Sequence, residues 1–572
     1  MTVLGNSSLT KFDVLIIGSG AGGGPAADIL TKSGLKVLVL EAGMNRFDGI
    51  DQPSPAGVSY PIARFSNDEL KLGYRNFVTP DPIAEPRTFR TSVSDGDRTF
   101  VGDVQGLPKT VGGGAVHADL KMPRFMPQDF TLGTDLQAAY KFGANFADWP
   151  VTYDMLEPFY TYAEYALGVQ GKVGANPFEG PRSKPFPMPP GVPMYVALLA
   201  AKGLASLGYT AFPYPMAVNS QPYDGRPACV DCGYCSGYGC PSNAKGSPAV
   251  TMLRKALLSG NCQLVTETRA VRLRVNGSGN TVVGVDCLGP SGEKVSYTAD
   301  RYILAASPIE DARLLFLSDP GGNGIGNSSD QVGRNLMFHF QTNAIGIFPQ
   351  RVHGHRGKTV SHGFADFRGK PNDPNHPLGG IVELSGSEFL LDEANYYRQI
   401  FAVLGFNGTT LKAFMRQSPG RDRVLAVAMQ AEDAPQLTNR VDLDPAVKDV
   451  DGLAVPRITY MNSQFELSAS TFYQPKIIDI MGKSGCKYAA IGPTMLAASD
   501  HIMGTLRMGP DPKTSVCDPT GRFHDIGNLF NTDAGLFPTA SGFNPTMTLV
   551  AMSTYVASCM VNSTNPEAVI GS

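Results

Sequence analysis

The chain has 572 residues and carries 48 Lys and Arg against 51 Asp and Glu, so its formal net charge is −3. Hydrophobic residues make up 42% and aromatic residues 9% of the sequence, which is enough for a large core and excludes a disordered chain. Because only 17% of the residues are charged and the two signs nearly cancel, a large basic face is excluded, and we expect no nucleic-acid partner.

Neither a membrane-spanning segment nor a signal peptide is visible in the sequence. The longest apolar candidate, 196–207, is interrupted by Lys202 and Gly203 and falls short of the roughly 18 residues that cross a bilayer. The N-terminus has no basic segment followed by an apolar one, and no twin-arginine pair. We therefore expect no membrane span and, by default, a cytoplasmic protein, which a partner subunit with its own signal could still export.

The first forty residues read as a βαβ unit. Residues 12–17 and 36–40 are short apolar runs typical of buried parallel strands, and residues 26–32 read as a helix between them. The connection before the helix is almost entirely glycine. Such a unit is the first half of a nucleotide-binding α/β fold.

The glycine-rich connection contains the pattern G-x-G-x-x-G as Gly18, Gly20 and Gly23. The first glycine permits a tight turn, the second lets a pyrophosphate approach the backbone, and the third lets helix and strand pack closely. The helix N-terminus would offer N–H groups to the phosphates, and Glu41 would accept hydrogen bonds from ribose hydroxyls. The motif predicts a bound dinucleotide rather than a glycine turn without a ligand. A single fingerprint in so long a chain favours FAD over NAD.

Helical and strand-like segments alternate along the rest of the chain. The spacing of aromatic residues and leucine predicts a helix over 153–165, and seven prolines lie between 177 and 193. We interpret these prolines as an ordered polyproline-like excursion rather than a free linker, because hydrophobic residues alternate with them. Further elements are expected as a helix over 195–207, strands over 262–275, 282–288 and 302–305, an antiparallel sheet within 346–430, and a C-terminal helix.

Four of the nine cysteines form a cluster, Cys229-x2-Cys232-x2-Cys235-x4-Cys240, which is followed by proline. The spacing is close to the bacterial ferredoxin run C-x2-C-x2-C-x3-C-P, so an iron–sulfur cluster is a candidate. Zinc is an alternative, because four thiolates suit a tetrahedral site. Free thiols or one disulfide in a glycine-rich loop is the third interpretation.

Seven motifs are spread over the chain, and they are Glu41-Ala42-Gly43, Val111-Gly112-Gly113-Gly114, Trp149 to Tyr153, Gly326 to His339, Asn439 to Leu443, His501 to Met508 and Asn544 to Thr548. Together they resemble the glucose–methanol–choline (GMC) flavoprotein oxidoreductases over nearly the whole chain. With Gly225 to Cys229, they look most like the bacterial sugar and gluconate dehydrogenase branch. Some glucose dehydrogenase subunits of that branch hold an iron–sulfur cluster on a cysteine group, from which this sequence departs by adding Cys232 and one residue before Cys240.

The resemblance implies an FAD-binding Rossmann-like βαβ domain interleaved with a substrate domain built on an antiparallel sheet with helices. The substrate pocket walls would come from residues roughly 60–100 and 346–490, where no motif was found. The implied division is FAD-binding in 1–60, a substrate-side excursion in 61–104, an FAD-binding loop region in 105–150, the substrate domain and cysteine segment in 151–250, FAD-binding in 251–345, the substrate domain in 346–494, and FAD-binding with the catalytic residues in 495–572.

The chemistry implied by the resemblance is alcohol oxidation by hydride transfer to flavin N5. A base must take the hydroxyl proton, and the resemblance assigns this role to His501. Asn544 corresponds to the second active-site position of the family. Since Pro545 follows it, we also expect Asn544 to cap the C-terminal helix, whose positive end would point at the flavin.

Further residues are predicted to bind the cofactor, and part of this prediction rests on the resemblance. The full cofactor set is Gly18, Ser19, Gly20, Ala21, Gly23, Glu41, Ala42, Gly112, Gly113, His117, Val271, Asp533, Ala534, Asn544, Pro545 and Thr546. His117 lies where pyranose oxidases attach FAD covalently, but the Trp and Thr typical of that site are replaced here, so a covalent bond is the less favoured alternative. The other histidines, apart from His501, are expected at the surface or in loops, and they are His339, His353, His355, His362, His376 and His524.

Three functions fit this resemblance. The first is a dehydrogenase of sugars, polyols or related alcohols that passes electrons to a cytochrome or a dye-type acceptor. The second is an oxidase that makes hydrogen peroxide. The third is a lyase of the same fold that keeps FAD only as structure. The dehydrogenase is favoured over the oxidase, although no motif fixes the reactivity with oxygen, and the His501/Asn544 pair and the sugar-dehydrogenase motifs argue against the lyase.

Overall fold

The computed structural model describes residues 1–55, 61–64, 84–96, 100–102, 107–136, 143–386, 405–417, 422–494, 496 and 499–571. Much of the predicted excursion 61–104, and the parts of the predicted pocket walls in 65–83 and 387–404, lie outside these residues.

The strands in chain order are β1 Thr2–Gly5, β2 Val14–Ile17, β3 Val37–Leu40, β4 Phe47–Asp48, β5 Ile62–Ala63, β6 Arg87–Arg90, β7 Phe100–Gly102, β8 Phe212–Pro213, β9 Cys262–Thr266, β10 Arg269–Val275, β11 Val282–Leu288, β12 Lys294–Tyr297, β13 Arg301–Leu304, β14 Phe340–Ile347, β15 Val360–Phe364, β16 Val382–Ser385, β17 Val424–Ala431, β18 Arg440–Lys448, β19 Ala454–Thr459, β20 Tyr488–Ile491 and β21 Leu529–Asn531. The helices are α1 Gly23–Lys32, α2 Leu132–Leu136, α3 Tyr153–Leu167, α4 Tyr195–Ser206, α5 Met252–Leu258, α6 Pro308–Ser318, α7 Gly408–Met415, α8 Gln464–Ser484, α9 Thr546–Val561 and α10 Pro566–Gly571.

A six-stranded sheet forms the nucleotide-binding layer, in the order β1-β9-β3-β2-β13-β21. All neighbours are parallel except β1, which runs antiparallel to β9 at one edge. Strands β2 and β3 are entirely buried, as their unbroken runs of valine, leucine and isoleucine predict for a sheet covered on both faces. Because β2, β3, β13 and β21 are parallel, their carboxyl ends meet at one edge, where α/β sheets bind ligands.

The segment predicted as one strand over 262–275 is divided between two sheets. Strand β9 belongs to the six-stranded sheet, whereas β10 pairs with β11 in a three-stranded antiparallel sheet with β12. Glu267 and Thr268 make the break, and Glu267 has a positive φ of 54°. Because threonine is also common within strands, the sequence Thr-Glu-Thr-Arg at 266–269 does not by itself separate the two strands.

A second six-stranded sheet, in the order β20-β14-β17-β16-β15-β8, is antiparallel throughout. One face packs on α4 and α8 through a cluster that includes Leu425, Val427 and Met429 of β17. The alternate residues of β17, Ala426 and Ala428, point to the opposite face because strand side chains alternate. Polar residues of the site described below lie on this second face.

A four-stranded sheet has the strand order β18-β19-β6-β7 and combines strands from two distant parts of the chain. Its first two strands pair in antiparallel register and β19 pairs in parallel with β6. Strand β6 supplies Arg87, whose guanidinium donates 2.9 Å to Glu310 of α6. This ion pair joins the four-stranded sheet to the nucleotide-binding layer.

Local sequence signals set several helix ends. Helix α3 begins after Thr152, whose hydroxyl accepts from the Met155 N–H, and ends at Gly168 with a φ of 77°. Helix α8 begins with a capping box between Ser463 and Glu466.

None of the helices within the described ranges is long and apolar enough to cross a membrane. The predicted fold class, a Rossmann-like layer interleaved with an antiparallel sheet and helices, is confirmed.

Candidate functional site

Loops that follow the parallel strands converge at the carboxyl edge of the nucleotide-binding sheet. Gly18 has a φ of 103°, and its N–H donates to the carbonyl of Leu40, 2.8 Å away. A Cβ at Gly18 would lie 2.3 Å from the carbonyl oxygen of Ala305, and one at Gly22 would lie 2.9 Å from the Cβ of Asp533. The glycines are therefore required where the loops after β2, β13 and β21 touch.

Glu41 accepts hydrogen bonds from the first glycine loop and from the backbone that follows β3. Its Oε2 accepts hydrogen bonds from the Ser19 N–H at 3.1 Å and the Ser19 hydroxyl at 2.6 Å, and its Oε1 accepts from the Gly43 N–H at 2.7 Å. The Ser19 hydroxyl oxygen accepts in turn from the Gly112 N–H at 3.0 Å. Burial raises the pKa of Glu41, while these donors act in the opposite direction. The predicted contact of Glu41 with a ribose remains a prediction, but its place beside both glycine loops is clear.

The residues at this edge fit a dinucleotide such as FAD. Helix α1 has ten residues and no acidic residue in its first turn, so the positive end of its dipole favours an anion at this edge. The two glycine loops face each other without side chains: a Cβ at Gly20 would lie 3.8 Å from the Cα of Gly113. Ala21 and Ala42, the other small residues predicted at the cofactor, lie in the same two loop regions as Gly20 and Glu41.

Asp533 lies at the end of β21 and pairs with a second buried acid that the sequence did not single out. Asp533 accepts from the N–H groups of Ser307 at 2.9 Å and Gly535 at 2.7 Å, and Ala534 begins the short turn that follows. Asp311 of α6 is hydrogen bonded to Asp533, and burial together with that second carboxyl raises the pKa of Asp311 well above its usual range. One proton is thus shared between two acids at the predicted ribityl position.

His117 follows the short 3₁₀ turn Gly113–Val116 and is almost fully buried. Burial, and then the nearby cations of Lys245 and Arg46, lower its pKa to about 3. Its carbonyl accepts from the Gly237 N–H at 3.0 Å, so the cysteine loop packs directly on it. The imidazole is therefore neutral beside the second glycine loop, and its contact with FAD stays a prediction.

Val271 lies in β10 rather than in the nucleotide-binding sheet. It falls at a register shift between Ala270 and Arg272, where the pairing with β11 is interrupted. A bulged residue leaves its backbone groups outside the ladder. This placement is compatible with the predicted backbone contact to adenine, which the described residues do not test.

His501 is held by His339. The two Nδ1 atoms are 2.9 Å apart, and His339 Nε2 lies 3.0 Å from the carbonyl oxygen of Ala540. The Ser499 hydroxyl oxygen accepts from the backbone N–H of both histidines, at 3.0 and 3.2 Å. Because a carbonyl only accepts, His339 must carry its proton on Nε2.

The protonation states of both rings follow from this geometry. Burial lowers the pKa of His339 to about 4, so the ring is neutral and its Nδ1 accepts. His501 then donates from Nδ1 and keeps a basic lone pair on Nε2. Burial, His339 and Lys121 lower the pKa of His501 well below its usual value. His339 lies in the loop before β14, as expected, but it is fully buried rather than at the surface; its place in the motif Gly326 to His339 was the signal that could have identified it.

Asn544 does not cap the C-terminal helix. Helix α9 begins at Thr546 with Pro545 at the cap position and no side-chain cap. The Asn544 side chain instead accepts from the Tyr214 hydroxyl at 2.5 Å and donates to Glu383 at 2.9 Å. The capping prediction was wrong because two buried polar partners compete for the same amide.

A row of polar side chains leads away from Asn544 across the face of the antiparallel sheet that lies opposite α4 and α8. Gln341 of β14 donates to Gln430 of β17 at 3.1 Å, and Gln430 donates to Glu383 of β16 at 3.2 Å. We call Gln341, Gln430, Glu383 and Asn544 the polar row. The half-buried alanines Ala426 and Ala428 share this face of β17.

The four clustered cysteines do not fit a metal centre in this arrangement. They are free thiols: Cys235 is buried, Cys232 is exposed, and Cys229 and Cys240 lie between these limits. Burial raises the pKa of Cys229 to about 11 and that of Cys235 to about 12. Among the described residues, which include all four, no group of three or more His, Cys, Asp or Glu is arranged to hold a metal ion. The structure therefore gives no support to the iron–sulfur or the zinc interpretation.

Comparison with known proteins finds similarity over the whole chain. Two family models, both described as GMC oxidoreductase, match residues 201–341 and 435–553. The chain is 28% identical to the fructose dehydrogenase large subunit of Gluconobacter japonicus, over 98% of this chain and 99% of that one. It is also 28% identical to the gluconate 2-dehydrogenase flavoprotein of Pantoea cypripedii, over 96% and 94%. The crystal structure of pyridoxine 4-oxidase from Mesorbium loti superposes with a TM-score of 0.61 at 16% identity, covering 96% of this chain and 98% of that chain.

Proposed function

Because the chain belongs to the GMC oxidoreductases, we propose that it is an FAD-dependent dehydrogenase that oxidises a CH–OH group of a sugar, a polyol or a related polyhydroxylated alcohol. Membership of this family makes the protein an oxidoreductase. What we propose beyond this membership is the class of substrate, the identity of the general base and the kind of electron acceptor. The observation that carries it is the polar row, which Lys121 connects to His501: the lysine pairs with Glu383 and its charge lowers the pKa of His501.

The glycine loops and α1 would hold the cofactor. Phosphates would lie against the N–H groups at the start of α1, and Glu41 would meet the ribose at the end of β3. Asp533 and its partner Asp311 would face the ribityl chain. When bound, FAD supplies the acceptor for the hydride that leaves the alcohol carbon.

His501 would take the hydroxyl proton on Nε2. Its Nδ1–H is directed to His339, so the lone pair needed by a general base stays on the other nitrogen. The lowered pKa of His501 keeps that nitrogen unprotonated at neutral pH. The amide of Asn544 would donate to the same substrate oxygen and stabilise the negative charge that develops on it.

The polar row favours a substrate with several hydroxyl groups. Gln341, Gln430 and Glu383 offer carboxamide and carboxylate groups along three adjacent strands, and each lies on the face opposite the apolar cluster of α4 and α8. These groups already bond to one another, but a purely hydrocarbon substrate would leave their remaining donor and acceptor positions unused, which costs free energy. The names of the relatives, fructose and gluconate dehydrogenases, agree with this class.

We propose an electron acceptor other than oxygen, such as a cytochrome or a dye-type acceptor. The relative from Gluconobacter japonicus is named a large subunit, which supports an acceptor supplied by a partner protein. The exposed position of Cys232, on a loop that packs against His117, places accessible surface near the second glycine loop.

Anaerobic spectra of the purified holoprotein test this proposal. Fructose, gluconate, sorbitol and glycerol are each added, with 1-propanol as the control that lacks neighbouring hydroxyls. We expect at least one polyol to bleach the visible flavin absorbance faster than 1-propanol does. After air is readmitted, the flavin should stay reduced or reoxidise slowly, so that hydrogen peroxide forms at the same slow rate. Rapid peroxide formation would indicate an oxidase, and flavin that stays oxidised with every polyol would contradict the proposed oxidation.

A further inference from the structure

Glu383 is a completely buried carboxylate in the middle of the polar row. Its Oε2 accepts from Lys121 Nζ at 2.6 Å, and its Oε1 accepts from Asn544 Nδ2 at 2.9 Å and Gln430 Nε2 at 3.2 Å. A buried carboxylate is costly unless a cation and hydrogen bonds compensate it. Here both oxygens are satisfied, so the charge can be retained next to Asn544.

The two partners of Asn544 allow only one orientation of its amide. Glu383 presents a carboxylate, which can only accept, so the amide NH₂ must face it. The Tyr214 hydroxyl, 2.5 Å from Oδ1, donates on the other side. Burial and the carboxylate of Glu383 raise the pKa of Tyr214 well above its usual range, which keeps that hydroxyl protonated as a donor.

This orientation decides what Asn544 can offer to a substrate. One Nδ2 hydrogen is directed to Glu383, and the amide plane then fixes the direction of the second one. Lys121 connects this arrangement to the base: it pairs with Glu383 and lies close enough to His501 to lower the pKa of that histidine. An oxygen that gives its proton to His501 would meet the second hydrogen of an amide that is already oriented.

We propose that Glu383 is a positioning residue for the oxidation: its carboxylate, compensated by Lys121, orients the Asn544 amide so that a fixed N–H donates to the substrate oxygen. The inference rests on the proposed alcohol oxidation. It adds Glu383 as a residue that influences the reaction only by orienting the Asn544 amide. Glu383 belongs to none of the motifs that carry the family resemblance.

The ion pair also makes Glu383 suitable for a clean substitution. Lys121 Nζ lies 3.0 Å from a second carboxylate, Asp119, which itself accepts from the Thr359 hydroxyl at 2.9 Å. Replacing Glu383 with glutamine therefore leaves the lysine paired. The glutamine side chain keeps the size of glutamate but can turn its NH₂ toward the NH₂ of Asn544, which removes the preference for one amide orientation.

The experiment compares Glu383→Gln with wild type in the anaerobic flavin-reduction assay, using the polyol that reduces wild type fastest. We expect the maximal reduction rate to fall about 10- to 100-fold, as for loss of one hydrogen bond to a charged group, with a smaller change in KM. FAD content and Tm should stay close to those of wild type. In an Asn544→Ala background, the same substitution should have no further effect on the rate, because the amide that it orients is gone.

Glu164→Gln is the matched control. Glu164 is equally buried and pairs with Arg124 at 2.9 Å and with Arg182, but it lies in α3 and contacts neither His501 nor Asn544. The Glu164→Gln variant should therefore have a lower Tm than wild type but the same rate of flavin reduction. Should Glu383→Gln fail to fold, Tyr214→Phe removes the hydroxyl at the other end of the amide and should show the same dependence on Asn544.

The outcomes separate the two proposals. A wild type that reduces its flavin with a polyol while Glu383→Gln does so equally fast would overturn the positioning role alone. A loss that is undiminished in the Asn544→Ala background would do the same, because Glu383 would then act by another route. A wild-type flavin that no alcohol reduces would overturn the proposed function and this inference together.

Discussion

The imidazole rings of His339 and His501 meet edge to face, with their Nδ1 atoms 2.9 Å apart. Since His339 Nε2 donates to the carbonyl of Ala540, His339 can only accept from His501, and the free lone pair of His501 is assigned to Nε2. The neighbouring histidine thus selects the tautomer of the proposed base, as a carboxylate does in a serine protease triad.

Replacing His501 with alanine should abolish most turnover without removing the cofactor. Loss of a general base slows catalysis by about 10²- to 10⁴-fold. FAD should remain bound, because its proposed contacts come from the glycine loops and Asp533. Stopped-flow flavin reduction with the preferred polyol measures the rate, and the absorbance spectrum of the purified variant measures FAD content. A variant that reduces its flavin at the wild-type rate would show that the base lies elsewhere.

Replacing His339 with phenylalanine should slow flavin reduction by about 10- to 100-fold, because one hydrogen bond that orients the base is lost. His339→Gln should recover part of this loss, since its side-chain oxygen can accept from His501 Nδ1. His524→Gln serves as a control, because His524 contacts Ser515 and the carbonyl of Gly509 instead. Equal rates for the phenylalanine and glutamine variants would mean that His339 contributes packing rather than a hydrogen bond.

Activity should persist into mildly acidic solution. The base works when it is neutral, so kcat/KM falls only as the pH drops through the pKa of the His501 pair. The pKa of His501 is lowered well below 6.5, and that of His339 is lowered to about 4, by burial in both cases. The acid limb of the kcat/KM profile should therefore lie below pH 6.5. A limb centred at or above that value would contradict the protonation states inferred here.

FAD should be released by acid. His117 is neutral and buried beside the second glycine loop, but Ala115, Val116 and Ala118 stand where pyranose oxidases have other side chains around their flavin-linked histidine. After precipitation with trichloroacetic acid, we expect the yellow colour in the supernatant. Colour retained in the pellet of wild type, but not of His117→Ala, would establish a covalent bond to His117 instead.

The cysteine loop should react unevenly with thiol reagents. Cys232 is exposed, whereas Cys235 is buried and its pKa is raised to about 12, so its thiolate is scarce. In native protein purified without air, iodoacetamide should label Cys232 first and Cys235 last, as peptide mass spectrometry would show. Uniform protection of all four cysteines, together with iron and acid-labile sulfide, would favour a cluster that binds by rearranging this loop.

The sequence alone determined those features that depend on residues close together in the chain. The βαβ unit is encoded by apolar runs of two strands and a glycine loop between them, and each part is recognisable because periodicity and turn chemistry are local. His501 and Asn544 were predicted at the active site from short motifs that resemble the family, and their roles stay predictions. The interruption between β9 and β10 was missed because residues 266–269 include two threonines, which are also common inside strands.

Only the tertiary structure decided which partners these residues meet. His339 lies 162 positions from His501, Glu383 lies 161 positions from Asn544, and Lys121 lies 262 positions from Glu383. No local pattern links residues so far apart, because their contact depends on the register of separate strands and on how two sheets face each other. The same reason explains the corrected role of Asn544: its sequence context favours a helix cap, but Tyr214 and Glu383 form the stronger hydrogen bonds available once the chain is folded.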